Sequence, residues 1–132
     1  MNIEKSKMFS SVSETLVDIL DVAPEEITPD AYLIRDLGVE SIDLMELAVS
    51  LNQQFNLEVD EELIFLKSLR SVVEKARERN ADVSAAVAKE FFFLSSQRIA
   101  EILEDLANGP VLKVKDLIQY ISTVTQSKGK LC

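Results

Sequence analysis

The chain has no histidine and no tryptophan, and its single cysteine is the terminal Cys132. Without histidine there is no Ser-His or Cys-His nucleophile pair and no imidazole to ligate a metal. One cysteine forms no internal disulfide, which suits a reducing cytoplasm. Three glycines and three prolines leave little room for a turn-rich β protein, so an all-α chain is expected. No glycine-rich phosphate loop is present, and no carboxylate pair is marked out for acid–base work. No run of about 18 apolar residues occurs, which excludes a membrane-spanning helix. The opening "MNIEKSKMFSSVSETL" lacks the apolar block of a secretory signal. No catalytic residue and no metal site are expected, and the chain does not read as an enzyme.

Basic residues are also missing from one particular stretch. Residues 36–62 hold eight acidic residues and no basic one, so most of the formal net charge of −9 sits there. Such a patch disfavours nucleic acid and steers basic protein surfaces toward itself. What the chain has in quantity is apolar: 47% hydrophobic residues argue against disorder despite the charge. At 132 residues it is long enough to bury a core as one domain, 1–132.

Apolar spacing divides the chain into helices. Phe9, Val12, Leu16, Ile19 and Leu20 form one face of a first helix. A long loop follows to Asp36, punctuated by Pro24 and Pro29, with Val22, Ile27, Leu33 and Leu37 as anchors. A helix over 41–55 turns Leu44, Leu47, Leu51 and Phe55 inward. Ile42, Met45 and Val49 fall on a different side, beside Asp43 and Glu46, as an apolar row suited to a partner. One helix is expected over 60–79, carrying Leu63, Leu66, Leu69, Val73 and Ala76 and ended by Asn80. Another runs from an Asp82 N-cap to Phe93. The next is capped by Ser95 or Ser96, carries Ile99, Ile102, Leu103 and Leu106, and ends at Asn108-Gly109-Pro110. A last helix over about 114–124 precedes a frayed "TQSKGKLC".

Ser41, in "RDLGVESIDLMEL", reads by itself as the cap of the 41–55 helix. The wider stretch "PEEITPDAYLIRDLGVESIDLMELAVSLNQQFNLEV" resembles the signature region of the acyl carrier proteins. In that family an Asp-Leu-Gly turn leads, after two residues, to a modified serine in an Asp-Ser-Leu context. Asp36-Leu37-Gly38 and Glu40-Ser41-Ile42 match it, with Glu for Asp and Ile for Leu. Asp43, Glu46, Leu47, Leu51 and Phe55 fall in register, and "LKVKDLIQYI" resembles the family's last helix. The resemblance covers roughly residues 9–60 and 111–124.

The resemblance implies an acyl-carrier-like four-helix bundle, here enlarged by a helical insertion at about 61–110. It implies that Ser41 carries a 4'-phosphopantetheine arm, delivered from coenzyme A by a phosphopantetheinyl transferase. Further implied partners are acyl-loading enzymes, synthases and acyltransferases of fatty-acid or lipid biosynthesis, met by a cytoplasmic monomer. Basic patches on those partners would meet Asp36, Glu40, Asp43 and Glu46, with Ile42, Met45 and Val49 as the apolar part. Asn52-Gln53-Gln54 departs from the acidic run typical of members there. A nonribosomal carrier more often reads Leu-Gly-Gly ahead of the serine; "LGVES" favours the fatty-acyl type, and a polyketide carrier stays open. An unmodified acidic adaptor is the alternative of a different class. For the insertion three roles stand: a larger core, a docking surface, or an enlarged acyl cavity lined by Phe65, Leu66, Leu69, Phe91, Phe92, Phe93 and Leu94.

Overall fold

The computed structural model describes residues 4–130, with side chains through Gln126; Cys132 lies outside the described residues. Within them the chain is all-α. Helices α1 (Lys5–Leu20), α2 (Ser41–Phe55), α3 (Glu61–Ile64), α4 (Leu69–Glu78), α5 (Val83–Glu90), α6 (Ser96–Asp105) and α7 (Val114–Lys130) follow in order. Short 3-10 turns occupy Pro24–Glu26 and Leu106–Asn108. No described helix is long and apolar enough to cross a membrane.

Helix α1 packs on both α2 and α7. Met8, Val12 and Leu16 share one core with Leu47 and Leu51 of α2 and with Leu117 and Ile121 of α7, all essentially inaccessible. Burying each such side chain is worth about 1.5–3 kcal/mol, which is what holds these amphipathic helices together. Helices α4, α5 and α6 pack in series, and α3 rests on α7. Their buried residues, Val73, Val87, Phe91 and Ile102 among them, belong to the same cluster as α1, α2 and α7. The result is an all-α bundle built around one core.

The single helix expected over 60–79 is two helices. Asp60 caps α3 by accepting from the backbone N–H groups of Glu62 and Leu63, at 3.0 and 3.4 Å. The helix then stops at Leu66, which adopts the left-handed conformation at φ 54°. Lys67 N–H donates to Glu62 O and Leu66 N–H to Leu63 O, closing the paired bonds of a Schellman stop. Sequence periodicity misses this because glycine ordinarily signals such a stop. Leucine there costs about 1–2 kcal/mol, offset by burial of its side chain. Asn80 does end α4, also at positive φ.

Helix α5 stops at Glu90, short of the expected Phe93. The turn buries Phe91, Phe93 and Leu94 and leaves Phe92 55% exposed. Phe93 meets Phe91 and Tyr120 of α7 edge-on, at 6.4 and 5.1 Å between ring centroids. The caps are those expected, Asp82 accepting from Ala85 N–H and Ser95 Oγ from Arg98 N–H. Helix α7 runs past the expected end at 124.

Helices α6 and α7 are joined by a buried ion pair. Arg98 donates from Nε and Nη2 to the two Asp116 oxygens at 2.7 and 2.8 Å, and from Nη2 to Val111 O at 2.8 Å. The long loop before α2 is also tied down. Leu33 N–H donates to Leu112 O, Val114 N–H to Ala31 O, and Lys115 N–H to Pro29 O. The loop thereby runs antiparallel to the entry of α7, with Tyr32 opposite Lys113.

Candidate functional site

The turn that presents Ser41 follows from a few residues. Gly38 sits at φ 68°, where a side chain would be strained. Asp36 accepts the Tyr32 N–H at 2.9 Å, while Tyr32 O receives the Asp36 and Leu37 N–H groups. Val39 is buried and pins the chain just ahead of α2. Glu40 is the N-cap residue, and Asp43 reaches back to accept its N–H at 2.8 Å. Ser41 is therefore the first residue of the helix, and the capping role read from sequence goes to its neighbours. Its hydroxyl is exposed and makes no hydrogen bond among the described residues.

Two surfaces meet at this serine. On the outer face of α2, Ile42, Met45 and Val49 are 61%, 60% and 56% exposed. They border one shallow depression with Glu46, Ser50 and Gln53. Glu40 and Glu46 are exposed, whereas Asp43 is half-buried and occupied with its cap. Asp36 is exposed as well, and its carboxylate accepts the Tyr32 N–H in the preceding turn.

On the other side Ser41 borders a cleft of about 500 Å³. Its apolar lining is Ile34 and Leu44, then Phe65, Leu66 and Leu69, then Leu106, Pro110, Val111 and Leu112. Lys67 and Arg70 stand among these apolar residues. Of the aromatic cluster expected to line a cavity, only Phe65 does so. Phe91 and Phe93 are spent on the core between α5 and α7, with Leu94 buried beside them and Phe92 outside.

A polar clasp behind this cleft escapes sequence reading. Arg35 lies 4.0 Å from the Tyr32 ring centroid and donates to Asp105 Oδ1 at 3.1 Å and Gly109 O at 3.2 Å. The Tyr32 hydroxyl donates to Asp105 Oδ2 at 2.6 Å. Arg70 donates to Leu106 O and to Gly109 O, both at 2.9 Å. The Tyr32 hydroxyl first, then the Arg35 guanidinium, hold the Asp105 carboxyl well below its ordinary range. The same bond to Asp105 raises the Tyr32 hydroxyl above its ordinary value. One sequence signal for the clasp exists: Arg35 is the only base between Lys7 and Lys67.

A free serine hydroxyl between an exposed apolar–acidic helix face and an apolar cleft suits a group added at that oxygen and handled by other proteins. Residues 10–75 match the family described as the phosphopantetheine attachment site. An acyl carrier protein of Coprothermobacter proteolyticus is 38% identical over 73 residues, 54% of this chain and 89% of that protein. One from Wolinella succinogenes is 36% identical over 55 residues, 42% of this chain and 72% of its own. The meromycolate extension acyl carrier protein of Mycolicibacterium aurum is 25% identical over 95 residues, 69% of this chain and 98% of its own. No solved structure matches the chain. The chain belongs to the acyl carrier protein family, whose members are carriers and not enzymes, and the matched domain is the one to which 4'-phosphopantetheine is attached. The residues present fit that group: an unengaged, solvent-facing hydroxyl adjoins an apolar cleft.

Proposed function

We propose that Ser41 bears the 4'-phosphopantetheine arm and that the chain delivers an acyl group to enzymes of fatty-acid or lipid biosynthesis in the cytoplasm. The observation that carries this reading is the free, exposed hydroxyl of Ser41 at the start of α2, within the matched residues 10–75. The arm, when attached, supplies the thiol that holds the acyl group as a thioester. The chain's own residues do the rest. The turn from Asp36 to Val39 holds the serine outward, and Ile42, Met45, Val49, Glu40 and Glu46 offer partners an apolar strip flanked by negative charge. The relative named for meromycolate extension supports a role in lengthening acyl chains.

Residues 1–132 are read as one carrier domain with an insertion at about 61–110. Phe65, Leu66, Leu69 and Leu106 come from that segment and wall the cleft beside Ser41. Each methylene buried there is worth about 0.8 kcal/mol, so the insertion rewards a long acyl chain. Mass spectrometry after incubation with coenzyme A and a phosphopantetheinyl transferase tests the central claim. The wild-type chain gains the mass of the arm and Ser41→Ala does not. No gain in the wild type would leave an unmodified acidic adaptor, and a gain that survives Ser41→Ala would move the site elsewhere.

A further inference from the structure

Glu40 and Asp43 flank Ser41, and residues 36–62 contain no base. A phosphodiester formed at that hydroxyl would stand among like charges unless cations reach it from another part of the fold. Two do come near. Lys67, in the turn between α3 and α4, and Arg70, in the first turn of α4, line the same cleft as Ser41.

One of these cations, Arg70, is fixed before any ligand arrives. Arg70 uses Nη2 on the carbonyls of Leu106 and Gly109, at 2.9 Å each. That clasp fixes the plane of the guanidinium while Nε and Nη1 keep their donors. The Lys67 ammonium lies 6.0 Å from the Phe65 ring centroid and 3.7 Å from a Glu61 oxygen. Its pairing with Glu61 is exposed and weak, so exchanging that partner for a better one costs little. A fixed guanidinium with open donors and a nearby ammonium suit an oxyanion.

Resting on the reading that Ser41 carries the arm, we propose that Lys67 and Arg70 form an anion-receiving rim for the phosphodiester at Ser41. They are positioning residues that set the arm over the cleft and away from the acidic face of α2. The phosphodiester is favoured over a carboxylate on the cargo because it is joined at Ser41 Oγ itself, on the border of this cleft. A polar group on the acyl chain begins a full arm's length away.

Phosphorus NMR of the holo-protein with a free thiol tests this, comparing wild type with Lys67→Gln. Lys67→Gln leaves the Arg70 clasp intact, and an unmoved thermal midpoint checks that the fold is kept. At about 0.01 M salt, where charges act over about 30 Å, the two phosphorus shifts should differ; at about 1 M salt, where they act over about 3 Å, they should converge. The Arg70 Nε–H resonance should also move between the unmodified and arm-bearing forms. Identical phosphorus shifts at both salts, in protein with the full mass gain, would overturn the rim while leaving the Ser41 reading intact. Absence of any mass gain would overturn both. If Lys67 and Arg70 resonances respond only to a carboxylate-ended cargo and not to a methyl-ended one, the rim reads cargo and its assignment to the phosphodiester fails.

Discussion

The joint between α6 and α7 offers the sharpest test of how the added helices are attached. Arg98 and Asp116 are nearly inaccessible, at 8% and 2% side-chain exposure. Asp116→Ala removes two charge-assisted bonds to Arg98 and the bond from Lys113 N–H at 2.9 Å. It leaves the guanidinium buried with Val111 O and an exposed-side contact to Glu101 at 3.5 Å. Stranding a buried charge in this way costs about 3–5 kcal/mol. Arg98→Met strands the carboxylate instead and should cost a similar amount. The double variant Arg98→Met, Asp116→Leu strands neither charge, so its cost should fall to about 1–3 kcal/mol, the worth of the two lost bonds to Lys113 N–H at the start of α7 and to Val111 O. Urea unfolding of all four proteins gives the cycle directly. Single costs that add in the double, within about 0.5 kcal/mol, would refute the claim that the pair is coupled and desolvated.

Other outcomes follow from the same structure. Met45→Glu or Val49→Glu should change stability by less than about 0.5 kcal/mol, because both residues are exposed, yet slow arm attachment by a phosphopantetheinyl transferase. Undiminished attachment would remove this face from docking. The depressed carboxyl of Asp105 contributes stability that is complete above its ordinary value of 3.8 and is lost as pH falls below it. Asp105→Asn should therefore be less stable than wild type at pH 7, with the gap closing as pH drops below about 3.8 in chemical unfolding series; a gap independent of pH would exclude the ionised clasp. Gly109 holds φ 126° and ψ −161°, a region nearly reserved for glycine. Gly109→Ala should cost about 1–3 kcal/mol by thermal unfolding, and no loss would mean the loop relaxes.

The limits of what could be read from sequence are physical. The helix 41–55 is legible to the residue, because Leu44, Leu47, Leu51 and Phe55 mark one face and the acidic turn ahead of it marks the start. The stop at Leu66 is not, since its carbonyl bonds and burial compete against the left-handed penalty only once the segment is packed. Capping at Ser41 is misread for a similar reason. Serine and the Glu40–Asp43 pair both qualify as caps by composition, and only geometry shows the carboxylate taking the Glu40 N–H. Phe91 and Phe93 look like cavity residues by their apolar run, but a turn places Phe93 against Tyr120 and Phe91 against Phe93.

Local chemistry along the chain determined the all-α class, the concentration of negative charge around one serine, the exposed row Ile42, Met45 and Val49, and the likeness to the acyl carrier proteins. These depend on periodicity, composition and short-range spacing, which the linear order already contains. Tertiary structure decided what stands across from that serine. Arg35 with Asp105, and Arg70 with Gly109, are brought together from positions 70 and 39 residues apart. Lys67 and Arg70 become the cations bordering Ser41's cleft only because the Leu66 turn ends α3 and leads into α4, whose Arg70 then reaches the Leu106 and Gly109 carbonyls. No local rule encodes such pairings, since they exist only after the buried core has fixed where each helix lies.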